Sequence, residues 1–273
     1  MEQNINPKFA ALAPSAGMHK IERLYQIKID KAAVDHGFDL TPQIEEGWLR
    51  YRSTLFAANV WVQADAGDQF RVGCDNQHLI KEASRGTEIF TGHSTHPGIA
   101  RILSVVGYSK LYWLLGRIAA LAQSLPTAVL RQFQAAAKEM PKTTEAERLA
   151  VQRVGQSLFR NALIDYWEGR CAITGFDIVP LLRASHIKPW AKCANDHERL
   201  DVYNGFLLAP QLDAMFDDGW CTFTEDGRMV LSPQLGTGHL RTLGVPGEMK
   251  LSWIAEEHMS YLAFHRNTIF RVR

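Results

Sequence analysis

Few cysteines, no long apolar run and no excess charge of either sign mark this sequence, and each shortage excludes something. Its four cysteines, Cys74, Cys171, Cys193 and Cys221, are widely spaced and none belongs to a C-x-x-C pair. That argues against a zinc knuckle and against a dense disulfide framework, and it fits reduced thiols in a cytoplasm. No stretch approaches the roughly 18 to 20 uninterrupted apolar residues of a spanning helix. Even the most apolar segment, LYWLLGRIAALAQSL, is interrupted by Gly116 and Arg117. The opening segment MEQNINPKFAALAPSAGMHK has no hydrophobic core of signal-peptide length, so a cytoplasmic protein without a membrane segment is expected. With 30 basic and 29 acidic side chains, the chain is no polybasic nucleic-acid binder, and any such contact must come from local patches. The slight cation excess lies up to Lys142, with 16 basic against 13 acidic residues. No repeat or low-complexity tract is present.

What is present is enough apolar material, 46% of 273 residues, to bury a sizeable core, and it divides most naturally into two α+β domains, residues 1–142 and 143–273. Apolar positions at three- and four-residue intervals predict a helix over residues 18–34. The segments VWVQ and QFRVGC flank the turn-prone residues 66–68 and predict a hairpin. Two helices are expected over 110–124 and 127–139, separated by Pro126. Residues 140–142 form an expected hinge or linker, because Pro141 stops one helix and Thr144 opens the next with a capping box to Glu147. That next helix, 145–167, carries a broad apolar face. In the N-terminal half, Trp48 and Trp61 near Arg50 and Arg52 suggest either strand-core packing or a surface for bases and phosphates, and packing is the simpler account. The loop GHSTHPG, with His93 and His96, reads as an ordinary polar loop rather than a second metal site.

Chemistry concentrates after Arg170, in RCAITGFDIVPLLRASHIKPW and RLDVYNGFLLAPQLDAMFDDGW. A short strand through Leu181 and Leu182 ends at His186, and Pro189 prevents a helix there. Asn204-Gly205 turns into a second strand over 206–209. Pro210 suits the first turn of a helix that Asp218-Gly219 ends. On it, Asp213 and Asp217 are one turn apart and share a face. The unit reads as ββα, with a histidine and two carboxylates converging.

This segment resembles the HNH endonuclease family, in the branch with C-A-x-T-G at 171–175, L-R-A-S-H-I-K-P-W at 182–190, L-D-x-x-N-G at 200–205 and L-D-A-x-F-D at 212–217. The likeness extends less strongly over the rest of 143–273. It implies a nuclease in which His186 is the general base, Asn204 orders the loop between the strands or lies near the metal, and Asp213 and Asp217 hold one divalent ion. Where many members carry helix histidines, this chain has aspartates, hard oxygen ligands that favour Mg²⁺ or Mn²⁺ over zinc. Ser185 stands where many members have a further ligand. Arg183, Lys188, Gln211, His265 and Arg266 are candidate phosphate contacts. The expected activity is hydrolysis of DNA, one strand per site, in bacterial restriction or anti-phage defence, with a homodimer and defence-system proteins as expected partners. The rival reading is an inactive HNH-fold module that binds DNA or protein.

Overall fold

The structure, a computed structural model, describes residues 23–85, 90–92, 96–138, 140–141, 143–245 and 248–272. The N-terminal half opens with α1 (Arg23–Asp35); the predicted start of this helix lies outside the described residues. Six strands follow, β1 (Gln43–Glu45), β2 (Trp48–Tyr51), β3 (Val60–Asp65), β4 (Gln69–Cys74), β5 (Phe90–Gly92) and β6 (Arg101–Val106), with α2 (Gln77–Ala83) inserted after β4. They pair antiparallel in the order β1-β2-β3-β4-β6-β5. The predicted hairpin is β3 with β4, turning on Gly67 and Asp68, both at positive φ.

The sheet's two faces follow from the period of two. Leu49, Tyr51, Val60, Val62, Phe70 and Val72 enter the main core, whereas Trp48 and Trp61 form a small separate cluster with Ile99 and Ile102 on the other face. Trp48 is 7% exposed and Trp61 3%, so neither indole offers a stacking platform, and the packing account of these tryptophans holds. His96 packs beside Trp61 at 5.6 Å, and His93 lies outside the described residues.

Three helices connect the halves: α3 (Tyr108–Ser124), α4 (Pro126–Ala137) and α5 (Glu145–Tyr166). Pro126 occupies the first turn of α4, where its missing N–H is not needed, so it opens that helix. The Thr144–Glu147 capping box starts α5 as predicted. The C-terminal half then contains β7 (Arg183–His186), α6 (Asp196–Leu200), β8 (Gly205–Leu208), α7 (Pro210–Asp217), β9 (Cys221–Phe223), β10 (Met229–Leu231), α8 (Thr237–Thr242) and α9 (Met259–Thr268). Residues 179–181 are not strand but one 3₁₀ turn, which Arg160 of α5 fixes by donating to the carbonyls of Val179 at 3.0 Å and Leu182 at 2.8 Å.

The halves do not meet through a bare linker. One contiguous apolar core runs from Ile29 to Leu262. Polar contacts cross it as well. Arg117 of α3 donates to the carbonyls of Asp165 at 2.6 Å and Tyr166 at 2.8 Å, and the Tyr166 hydroxyl donates to Glu82 at 3.0 Å. His78 Nε2 lies 2.6 Å from the Tyr203 hydroxyl, next to Asn204. Among the described residues, no single helix is long and apolar enough to cross a membrane.

Candidate active site

β7 and β8 form a two-stranded antiparallel ladder in which Ser185 is opposite Phe206 and His186 opposite Gly205. Alternation sends Arg183 and Ser185 to one face and His186 to the other. α7 covers the first face and α5 the second. Gly205 is required on the α5 side, because a Cβ there would lie 2.5 Å from the Phe159 ring. That space lets Phe159 slide beneath His186, whose ring stacks on it with centroids 3.8 Å apart and planes 16° apart. Trp190 meets the same imidazole edge-on at 5.6 Å.

The His186 Nε2 lies 3.0 Å from the carbonyl oxygen of Arg199. A carbonyl only accepts, so Nε2 carries the hydrogen and Nδ1 keeps its lone pair. Burial pushes the His186 pKa down to about 4, against a smaller upward pull from the Arg199 carbonyl. At neutral pH the ring is therefore neutral and oriented, with the Nδ1 lone pair free to accept a proton.

On the opposite face, Asp213 is half-buried and Asp217 exposed, one helical turn apart. Burial raises the pKa of both. Ser185 and Arg183 pull Asp213 back down, Asp217 pushes it further up, and Asp218 does the same to Asp217. The Ser185 side chain is 3% exposed, and its Oγ, turned toward Asp213, has no full hydrogen bond. Among the described residues no hydrogen bond or ion pair joins His186 to either aspartate, and no group of three or more His, Cys, Asp or Glu gathers as a metal cluster. The sequence pattern anticipated convergence of histidine and carboxylates on one face; the strand's alternation puts Ser185, not His186, against α7.

Asn204 is fully buried. Its Oδ1 accepts from Lys188 N at 2.7 Å, and its Nδ2 donates to the carbonyls of Glu198 at 2.9 Å and Lys188 at 3.2 Å. Both ends of the amide are consumed in closing the loop between β7 and β8. These bonds agree with the loop-ordering role expected of Asn204. Two of the candidate phosphate contacts are engaged within the protein. Lys188 Nζ is 2.7 Å from Glu198 and largely covered, so its charge is already neutralised. His265 is 1% exposed, with Nδ1 3.0 Å from Thr222 Oγ1 and Nε2 3.0 Å from the Phe216 carbonyl, leaving nothing for a phosphate. Arg266 spends Nη1 on the Phe223 carbonyl at 2.9 Å and is half-buried. Arg183 and Gln211 are exposed. Gln211 lines an open groove of about 600 Å³ with Thr174, Phe176, Leu181 and Pro210.

A family model described as HNH endonuclease matches residues 171–224, from Cys171 through β9. No curated protein matches the chain. Among solved structures, a "Modification dependent TagI restriction endonuclease" is similar at 14% identity with a TM-score of 0.30, over 82% of this chain and 56% of that one. The chain thus spans little more than half of that protein's length.

Proposed function

Because the C-terminal half contains an HNH endonuclease unit, we propose that this chain is a divalent-metal-dependent DNA endonuclease with His186 as general base and Asp213 and Asp217 as the metal-holding residues. The observation that carries the proposal is the fixed His186 tautomer, with Nε2 committed to the Arg199 carbonyl and Nδ1 left basic. The carboxylate face suits a cation on two grounds. Burial and a neighbouring carboxylate raise the cost of ionising each aspartate, Asp217 acting on Asp213 and Asp218 on Asp217, and the buried Ser185 hydroxyl near Asp213 lacks a full partner. All-oxygen donors of this kind select Mg²⁺ or Mn²⁺, and the small number of protein ligands predicts weak binding in the absence of DNA. When bound, such an ion neutralises charge on the scissile phosphate and on its leaving oxygen.

Among the described residues β7 has a ladder partner only on its β8 side. In this proposal the phosphate lies along the other edge, between the base on one face of the strand and the carboxylates on the other. His186 Nδ1 takes the proton from a water whose oxygen forms the new bond to phosphorus. The bond to the 3′ oxygen breaks, and that oxygen is protonated from solvent. The negative phosphate raises the His186 pKa from its low value in the free protein, strengthening the base when substrate is present. One such unit cuts one strand, and a double-strand break needs a second copy. We place the activity in bacterial restriction or anti-phage defence, on architecture alone.

Supercoiled plasmid incubated with Mg²⁺ or Mn²⁺ tests the proposal. Relaxation by the wild type that is lost in His186→Ala supports it; unbroken plasmid with both metals overturns it. Binding without nicking would favour the inactive module, for which Ser185 in a ligand position is the motivating feature.

A further inference from the structure

At the C-terminal end of α7, the chain's last described segment returns to the site. Gly219 has a φ of +73°, and a Cβ on it would lie 2.2 Å from the Ile269 carbonyl oxygen, so only glycine lets residues 269–271 approach this closely. The approach fixes Arg271 in four ways. Its N–H donates to the Gly219 carbonyl at 3.0 Å, and its own carbonyl accepts from Ser232 Oγ at 2.7 Å. Its Nε donates to the Asp218 carbonyl at 2.8 Å, and its guanidinium lies over the Trp220 ring at 4.2 Å.

The guanidinium is nonetheless exposed, and among the described residues Nη1 and Nη2 have no acceptor and form no ion pair with Asp217 or Asp218. Arg199 and Arg160 donate to carbonyls within the fold, whereas Arg183, near Asp213 on β7, is exposed like Arg271. A planar fork held by stacking and by one hydrogen bond, with Nη1 and Nη2 unpaired among the described residues, is already ordered for bidentate contact with an oxyanion. It stands immediately after Asp217 in the fold, on the opposite end of α7 from Gln211.

We infer that Arg271 is a backbone-phosphate contact, holding the DNA strand beside the C-terminal end of α7. The inference rests on the nuclease reading and deepens it, since it states how substrate is held rather than how it is cut. Capping the Asp218 carbonyl is the competing structural role, and it would be retained in part by any long side chain.

The test is duplex binding in EDTA across a salt series, comparing the wild type with Arg271→Gln, Arg271→Lys and Trp220→Leu. Arg271→Gln is expected to weaken binding about five- to tenfold and to reduce the slope of log affinity against log salt by about one, equally for unrelated sequences. Arg271→Lys keeps the salt slope but loses the fork, giving a loss of about two- to threefold, and Trp220→Leu behaves similarly by freeing the guanidinium. In plasmid nicking, Arg271→Gln raises KM with kcat nearly unchanged. A wild-type salt slope and affinity in a folded Arg271→Gln protein would overturn the inference while leaving the nuclease reading intact. Wild-type protein that neither binds nor nicks would instead remove the reading beneath it. If Arg271→Gln fails to fold, the Arg271→Lys and Trp220→Leu pair decides, because unchanged affinity in both has the same adverse meaning.

Discussion

The outer face of the N-terminal sheet and the face of β7 beneath α7 contain the same kinds of residues, yet they treat charge in opposite ways. On the sheet, Arg50 bonds Glu45 at 2.9 Å and Asn59 at 2.9 Å while lying over Trp61. Arg71 pairs with Asp65 at 2.8 Å over Trp48, and Trp61 Nε1 donates to Glu45 at 2.9 Å. Each charged side chain in that set has an opposite charge or a hydrogen-bond partner within the protein, although Arg71 Nε itself lacks a full hydrogen bond. Beneath α7, Asp213 and Asp217 have no ion pair among the described residues, Ser185 Oγ has no full hydrogen bond, and across the strand His186 keeps one nitrogen open. Uncompensated polar groups cost free energy, and the arrangement makes physical sense where a ligand completes it.

The largest expected effect separates chemistry from structure outright. His186→Ala should reduce nicking by about three orders of magnitude, within the range for loss of a general base, with the fold preserved by circular dichroism. Removing the paired sheet residue Trp61 should instead cost about 3 kcal/mol of stability while the folded fraction still cuts. Nicking by His186→Ala within tenfold of wild type would erase the contrast, because the open nitrogen would then have no chemical meaning.

Asn204→Ala comes next and tests the line between positioning and ligation. It removes one accepted and two donated backbone hydrogen bonds from a fully buried amide, at about 3 kcal/mol. A chemical denaturation series reads that loss. Added Mn²⁺ should not restore activity selectively, as it would for a missing metal ligand; restoration by metal without any stability loss would return Asn204 to the metal.

Much of this was legible from local rules. The Thr144–Glu147 box, Pro210 in the first turn of α7, Gly219 after its end and the β3–β4 hairpin all express backbone constraints carried by a few adjacent residues. The strand expected through Leu181 is a 3₁₀ turn because tertiary hydrogen bonds from Arg160 hold it, and no neighbouring residue announces them. The site was legible as a set of residue types, but not as a geometry. Ser185 and His186 are adjacent, so period two separates them whatever the motif suggests. His265 and Lys188 differ for another reason: a polar residue looks available in sequence, whereas the fold supplies each with a partner 43 or 10 positions away. Arg271 carries no local signal in the sequence, because its fork is ordered by Trp220 and Asp218, far away in the chain.

The two kinds of titratable group also predict opposite pH and metal responses. Burial holds His186 at about 4, His258 at about 3 and His265 at about 4. Each lies below the ordinary value near 6.5, so the unfolded chain takes up protons first. Their contribution to stability is complete above pH 6.5 and is lost progressively as pH falls toward 4. Asp213 and Asp217 are raised, so they favour folding when protonated and lose that contribution as pH rises. A bound cation should reverse the carboxylates' penalty at neutral pH. Melting temperature should therefore fall on acidification from pH 7 to 5, and at pH 7 it should rise by a few degrees with millimolar Mn²⁺. The Mn²⁺ response should vanish in Asp213→Asn. A response that survives that substitution would move the cation elsewhere.

The smallest effects sharpen the comparison most, since they ask which face meets DNA. Arg183 is exposed and close enough to Asp213 to lower its pKa, whereas Arg71 is engaged with Asp65. Neutralising Arg183 with Gln should weaken duplex binding severalfold and flatten its salt dependence by about one unit of slope. Arg71→Gln should leave affinity and slope alone and cost at most about 1 kcal/mol of stability, the range of a partly exposed pair. A larger binding loss from Arg71→Gln than from Arg183→Gln would mean that the sheet's ion pairs open to meet phosphate. Recognition would then reside on the N-terminal sheet, and internal pairing would no longer distinguish a structural face from a functional one.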